Sequence, residues 1–219
     1  MADDLPEPIP AATLVLMRSA GSGPPELLTI ERGAGMAFAA GALAFPGGRI
    51  DDEDRAAAAA YPALSDAAAR IAAIRETIEE TGLGGSLAPG DLTPFARWCP
   101  NFRETRRFDT LFYLAEAGSD WPAPVAAAHE VGRVFWASAA ATLAEIAAGR
   151  AHAIFPTRRN LERLARFGSI EEARADAACH PVRKITPWIE DRDGEAFLRI
   201  PDDAGYPVTS EPLATARRR

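Results

Sequence analysis

Lysine is nearly missing from this chain of 219 residues: Lys184 is the only one, so arginine supplies almost all of the 24 basic residues. Acids number 31, the formal net charge is −7, and the longest basic run is the closing Arg217-Arg218-Arg219. A phosphate backbone demands a basic face, so this balance argues against nucleic acid as a partner. An acidic protein still takes up phosphates where metal ions bring the positive charge. Cysteine is scarce too. Cys99 and Cys179 form no closely spaced pair, which excludes a disulfide framework and a thiolate metal site and suits a reducing compartment. The three histidines, His129, His152 and His180, lack ligand spacing. Long apolar runs are absent as well: residues 36–45 are the longest, too short for a bilayer and broken by Gly41. The N-terminus is acidic and lacks the layout of a signal peptide, so a soluble, cytoplasmic protein without a membrane partner is expected.

What is present is an ordinary globular composition, 47% hydrophobic and 25% charged, long enough to bury a core. Residues 1–10 hold three prolines and three acids and read as a flexible arm; residues 11–219 read as one domain. Residues 12–17 and 27–31 read as a strand hairpin, with a short strand at 42–45 running into Pro46-Gly47-Gly48. Further strands are expected at 92–98, 110–115 and 131–136, the second of them central because it is apolar throughout. Helices are expected at 138–149, 156–168 and 171–179, and a terminal hairpin about Asp193-Gly194 within 185–200. Strands and helices intermix without regular β-α-β alternation. The expectation is therefore an α/β fold whose mixed sheet is flanked by helices.

The chemistry concentrates in Arg75-Glu76-Thr77-Ile78-Glu79-Glu80-Thr81-Gly82-Leu83. Ser65 is read as the cap of a helix over 66–81, with Gly82 in the left-handed position that ends it. At about 100° per residue, Ala67, Ile71, Ile74 and Ile78 fall on one side of that helix, while Glu76, Glu79 and Glu80 fall on the other. Like charges at helical spacing cost about 0.2–0.5 kcal/mol per pair when exposed. Partly buried at about 5 Å they repel by roughly 3 kcal/mol at an effective dielectric near 20. A hard divalent cation reverses that sign, and oxygen ligands of this kind suit Mg²⁺ or Mn²⁺ bridging a diphosphate. An acidic helix face alone is usually a solvated surface. Here Phe45-Pro46-Gly47-Gly48 lies upstream, and its paired glycines let backbone approach a ligand closely.

These residues resemble the Nudix hydrolases. The box of that family runs Gly, five residues, Glu, seven residues, then Arg-Glu-U-x-Glu-Glu-x-Gly-U, with U a bulky apolar residue. Residues 75–83 match its second half except for Thr77 at the first U. Gly48 is followed after five residues by Asp54, where the pattern has Glu. Twenty residues separate Asp54 from Arg75 where the pattern has seven, an Ala-rich and acidic insertion of 13 residues at about 55–65. A long insert of this kind is similar to the branch that includes coenzyme A diphosphatases. Arg32, Met36, Phe38, Gly41 and Ala42 before Phe45-Pro46-Gly47-Gly48, the acids Asp51 and Asp54, and Arg107-Phe108-Asp109-Thr110 before an aromatic strand all fit that branch. Of its coenzyme A signature, Leu27-Leu28-Thr29 and Gly41-x-x-x-Phe45-Pro46-Gly47-Gly48 are present, while the Arg is displaced by one to Arg32 and Gly33 stands in place of Ser.

The resemblance implies an α/β/α sandwich and a hydrolase that cuts the diphosphate linkage of a nucleoside diphosphate derivative, with Mg²⁺ or Mn²⁺ as cofactor. Coenzyme A or an acyl-coenzyme A is the first substrate reading; an ADP-sugar or dinucleotide, or a non-catalytic binding module, are the alternatives. By match, Glu76, Glu79, Glu80 and the Gly47 carbonyl are the metal ligands, Arg75 orients the first glutamate, and Gly48 lies against substrate. Glu130 stands six residues before Trp136 and is read as a fourth ligand or general base. Arg32 and Arg107 are read as substrate-binding, and Arg103 and Arg106 share the fork that grips phosphates, though surface ion pairing explains each singly. Trp98, Phe102 and Tyr206 carry base-stacking faces, with core packing the plainer account. Asp202-Asp203 borders either the site or a turn. Many relatives are dimers, so a homodimer belongs to the same expectation.

Overall fold

A computed structural model describes residues 6–35, 39–100, 107–128 and 130–216. Met36, Phe38, Phe102, Arg103, Arg106, His129 and residues 217–219, singled out above, lie outside that range.

The axis of the fold is β1 (Ile9–Ala20), which takes in the last two residues of the stretch read as a flexible arm. Its side chains alternate between two buried faces, Leu14 and Leu16 on one and Val15 and Met17 on the other. A strand covered on both sides has to be apolar at every position, and that is the pattern of residues 12–17. It forms the expected hairpin with β2 (Gly23–Arg32), and β2 pairs in turn with β3 (Leu43–Ala44). The N-terminal half of β1 pairs instead with β4 (Gly47–Arg49), which puts Gly47 opposite Thr13 and Gly48 opposite Ala12. The helices α1 (Asp52–Ala57) and α2 (Ala67–Thr81) follow, then β5 (Thr93–Trp98), β6 (Phe108–Glu116) and β7 (Val131–Ser138). Next come α3 (Ala139–Ala147), α4 (Phe155–Leu164), α5 (Ile170–Cys179) and β8 (Lys184–Ile185). The sheet order is β3-β2-β1-β6-β5-β8, with β4 beside β1 and β7 beside β2. Of its pairs, β1–β6 and β5–β8 run parallel and the others antiparallel, giving the mixed sheet. A smaller sheet holds β9 (Trp188–Arg192), β10 (Glu195–Arg199) and β11 (Ser210–Pro212), followed by α6 (Leu213–Ala216). No helix among the described residues is long and apolar enough to cross a membrane.

Layering follows from the alternation. Helix α2 packs on Leu14, Leu16, Leu28 and Tyr113, while α3, α4 and α5 cover Val15, Met17, Phe95 and Leu114 on the opposite face. Residues 157–216 join this second core through apolar side chains such as Leu161, Phe167, Ile185 and Ile200, and also by polar contacts. The Trp98 indole N–H donates to Tyr206 Oη at 3.0 Å, and Tyr206 Oη donates to Asn160 Oδ1 at 2.7 Å. Arg159 Nη2 reaches Glu211 at 2.8 Å, a buried pair tying β11 to α4.

Helix α2 departs from expectation in two ways. Asp66, not Ser65, is its N-terminal cap residue, and the Asp66 carboxylate turns to Arg70 (2.7 Å) and the Tyr113 hydroxyl (2.9 Å), which holds the helix start on β6. The buried face is in part the expected one, since Ala67 and Ile74 are buried and Ile71 is half-buried. Ala69, Ala72, Ala73, Thr77 and Glu80 face the sheet, while Ile78 is 42% exposed. Small side chains let the helix axis approach β1 and β4, and the Thr77 hydroxyl satisfies itself on the Ala73 carbonyl at 2.7 Å. Gly82 ends the helix in the left-handed conformation, φ +70°, its N–H donating to the Ile78 carbonyl.

A substitution pair tests this alanine-lined face. Ala73→Leu is expected to lower unfolding free energy by about 1–3 kcal/mol through overpacking, and Ile78→Ala by less than about 1 kcal/mol. Urea denaturation reads both, and a larger cost at Ile78 would refute the assignment.

Candidate active site

Arg75 is the hub of the carboxylate cluster. Its Nε and Nη2 form a two-pronged contact with Asp54, at 3.0 and 2.9 Å. Nη1 reaches Glu76 at 3.0 Å and Glu79 at 2.9 Å, and Nη2 also donates to the Arg49 carbonyl at 3.0 Å. Five donors of one planar guanidinium thus serve three carboxylates and a carbonyl. The pKa of Arg75 is raised, chiefly by its bond to Asp54. Asp54 is buried, and it also accepts the Asp51 N–H at 2.9 Å, which caps α1. The insertion between Asp54 and Arg75 therefore loops out through α1 and the following helical turn (Ala58–Ala60) and still returns Asp54 to the box arginine.

Two glutamates press on bare backbone. Glu80 is buried, and its Oε2 accepts the Gly47 N–H at 3.0 Å. Glu76 lies so close to Gly48 that a methyl group there would collide with its carboxylate, and a Cβ on Gly47 would fall 2.5 Å from the Ala12 carbonyl oxygen. Paired glycines are what this approach requires. Burial drives the Glu80 pKa up to about 7, with the Gly47 amide opposing and the Glu76 charge adding to the rise. Burial also raises Glu76, against the pull of Arg75. Glu79 points to solvent, its side chain 55% exposed. The three glutamates are thus graded from inside to outside and do not form one outward patch.

Glu130 and Arg32 meet this cluster, since both charges act on Glu80, Arg32 lowering and Glu130 raising its pKa. The backbone explains the placement. The last carbonyls of α2 accept from the next crossing segment, Glu80 from Ala127 N–H at 3.1 Å and Thr81 from Val125 N–H at 2.9 Å. The turn that follows is pinned to the end of β2 by the Gly33 N–H on the Glu130 carbonyl, 2.8 Å. Arg107 stands apart, with Nη2 3.8 Å from Cys99 Sγ at the base of β5. Trp98 and Tyr206 are core residues, and Asp202 and Asp203 pair with Arg199 and Arg183.

Among the described residues no three Asp, Glu, His or Cys side chains converge on one point as ligands. The reason is local: Arg75 holds Glu76 and Glu79, and the Gly47 amide holds Glu80. The donor set nonetheless fits a hard cation. It consists of carboxylate oxygens, two of them desolvated with raised pKa, beside glycine backbone that admits close approach. Asp54 was readable only as a box position, because its contact to Arg75 is tertiary. His152 carries no sequence signal, yet its carbonyl accepts the Leu43 N–H at 2.7 Å and its ring lies beside Gly41.

The raised pKa of Glu80 fixes the sign of a pH effect. A carboxyl whose pKa rises on folding favours the fold only while protonated, so its contribution is complete below the ordinary carboxylate range and is lost as pH climbs toward about 7. In chelator, the protein should therefore lose stability from pH 5 to pH 8 relative to Glu80→Gln, as measured by thermal unfolding. Parallel curves for the two proteins would show that Glu80 titrates normally.

Residues 7–156 match the NUDIX domain family. The fold matches a NUDIX hydrolase from Alicyclobacillus acidocaldarius with a TM-score of 0.68 at 26% identity, over 77% of this chain and 96% of that one. It also matches the NUDIX domain of NrtR from Shewanella oneidensis, complexed with ADP ribose, with a TM-score of 0.53 at 17% identity, over 76% and 91% of the two chains. No curated protein sequence matches significantly. Members of the family generally need divalent metal ions. With the family matched across most of the chain and the fold in agreement, the chain belongs to the NUDIX family and is a hydrolase of pyrophosphate bonds in nucleoside diphosphate derivatives.

Proposed function

We propose that this chain is a divalent-metal-dependent diphosphatase whose substrate is coenzyme A or an acyl-coenzyme A, and that Glu76, Glu79, Glu80 and Glu130 form its acidic centre. The observation that carries the reading is the pair Glu80–Gly47 and Glu76–Gly48: one buried and one half-buried carboxylate held against the glycine strand, a costly arrangement without a cation to offset it. When bound, Mg²⁺ or Mn²⁺ would neutralise the diphosphate oxygens and lower the pKa of an attacking water. The protein's part is to present oxygens in fixed geometry. Glu80, Glu76 and Glu79 would hold the metal as carboxylates, while the Arg75–Asp54 contact keeps the helix against α1. Arg32 beside Glu80 is suited to a substrate phosphate, and Glu130, exposed at the rim, to accepting the proton of the water.

The coenzyme A reading is supported by the segment from Arg32 to Gly48. Leu27, Leu28 and Thr29, also part of that signature, are buried in β2 and serve packing. A homodimer remains part of this proposal.

Purified protein with Mg²⁺ or Mn²⁺ should release 4′-phosphopantetheine, or its acyl form, from coenzyme A substrates, identified by mass. AMP from ADP-ribose with coenzyme A left intact would overturn the substrate while keeping the diphosphatase. Glu79→Gln and Glu80→Gln are each expected to lower kcat by about 100-fold or more with folding retained. Full turnover in both would place the chemistry elsewhere.

A further inference from the structure

A strand at the edge of a sheet invites another strand, and proteins blunt such edges with shortness, charge or proline. Most edges of this molecule are blunted in that way. β3 and β8 have two residues each, and Lys184 of β8 is exposed. β9 carries Glu190 and Asp191 side by side, and β11 has three residues and ends in Pro212. β7 is different. It has eight residues, pairs with β2 along one side, and holds no proline and no acid. Its one charge is Arg133, which Glu31 already engages at 2.6 Å.

The open side of β7 is well formed. Its register on β2 is regular from Arg133 opposite Glu31 to Ala137 opposite Leu27, and the irregularity lies before that stretch, at Gly132. In a strand paired on one side, every second residue turns its N–H and C=O outward. Among the described residues, no hydrogen bond outside the ladder with β2 reaches the backbone of residues 133–137. Val134 and Trp136 are half-buried and lean on the core beneath α2. Phe135, on the opposite face, is also half-buried but joins neither core among the described residues. Its ring centroid lies 4.7 Å from the Arg133 guanidinium carbon.

We propose that this edge joins a second copy of the chain, β7 against β7 in antiparallel pairing, about a two-fold axis at Phe135. Charge selects both the place and the register. The chain carries a net charge of −7, so two copies repel over much of their surface, and β7 is a strip free of acid. An axis at Arg133 sets guanidinium against guanidinium, and the same operation at the middle of β9 sets Glu190 against its copy; like charges placed directly opposite destabilise a sheet. An axis at Phe135 sets Phe135 against the partner's Phe135, Val134 against the partner's Trp136 and Arg133 against the partner's Ala137, with no charge facing its like. Such a contact is self-complementary, as a two-fold interface has to be. It also leaves both acidic centres open, because Glu130, the residue before β7, falls at opposite ends of the paired strands. The inference rests on the homodimer in the proposed function and names its interface.

Sedimentation velocity of the full chain at concentrations up to about 100 µM, well above micromolar dissociation constants, should show a dimer that grows with concentration. Amide hydrogen exchange of residues 133–137 should slow in the concentrated sample relative to the dilute one. Phe135→Lys, which places a charge against its copy, should leave a monomer with unchanged circular dichroism. Ile189→Lys, on the exposed β9 edge, should leave the dimer intact. A chain that is monomeric throughout overturns the interface and the homodimer together, while the diphosphatase reading stands or falls by its own assay. A dimer whose exchange slows only elsewhere, that survives Phe135→Lys, or that is lost in Ile189→Lys overturns the interface alone. The exchange measurement uses the unaltered chain and decides the matter if Phe135→Lys does not fold.

Discussion

Glu80 accepts the Gly47 amide across a gap that only an alanine-faced helix can close. Everything near the carboxylate cluster is arranged around that closeness. Ala69, Ala72 and Ala73 bring the axis of α2 down onto β1 and β4, and glycine at 47 and 48 removes the Cβ atoms that would stand in the way. Thr77 occupies a position where the family pattern has a bulky apolar residue, and it keeps the spacing small by spending its hydroxyl on its own helix. The electrostatic result is two acids in a dry place, one gripped by arginine and one by a backbone N–H.

Much of the framework was legible because it rests on periodicity. β1 and β6 are covered on both faces and are apolar at successive positions, and the hairpins announce themselves by their turns. The mixed sheet and the end of α2 at Gly82 followed from the same signals. The orientation of α2 was legible only in part. Ala67 and Ile74 are buried as the apolar pattern expects, but hydropathy also ranks Ile78 above alanine and threonine, whereas contact distance selects the small residues and leaves Ile78 in water. Glu80 was accordingly placed on the same flank as Glu79, although one is buried and the other faces water.

The acidic centre divides in the same way. Residues 75–83 stand out because neighbours on one helix keep fixed angles, and Glu130 was reached through its distance from Trp136. The partnership of Asp54 with Arg75 spans an insertion of unknown path, and only the folded chain brings the two together. The insertion adds α1 between them, and Asp51 and Asp54 bind both the start of that helix and the box arginine. A length change in the middle of a motif thus leaves its end contacts in place, because the added residues leave and re-enter at the same point.

The pairing of β8 with β5 has a consequence for how this protein is made. β8 is short, but it runs parallel along the last strand of the sheet and is encoded some ninety residues after it. While a nascent chain is still on the ribosome, the outer hydrogen-bonding groups of β5 stay bare until residue 185 has emerged, and the Trp98 indole waits longer for Tyr206. An unpaired strand edge above an open apolar surface is where chains stick to one another. Synthesis of this molecule therefore passes through an interval in which it is most exposed to self-association, and its final sixty residues bring that interval to a close.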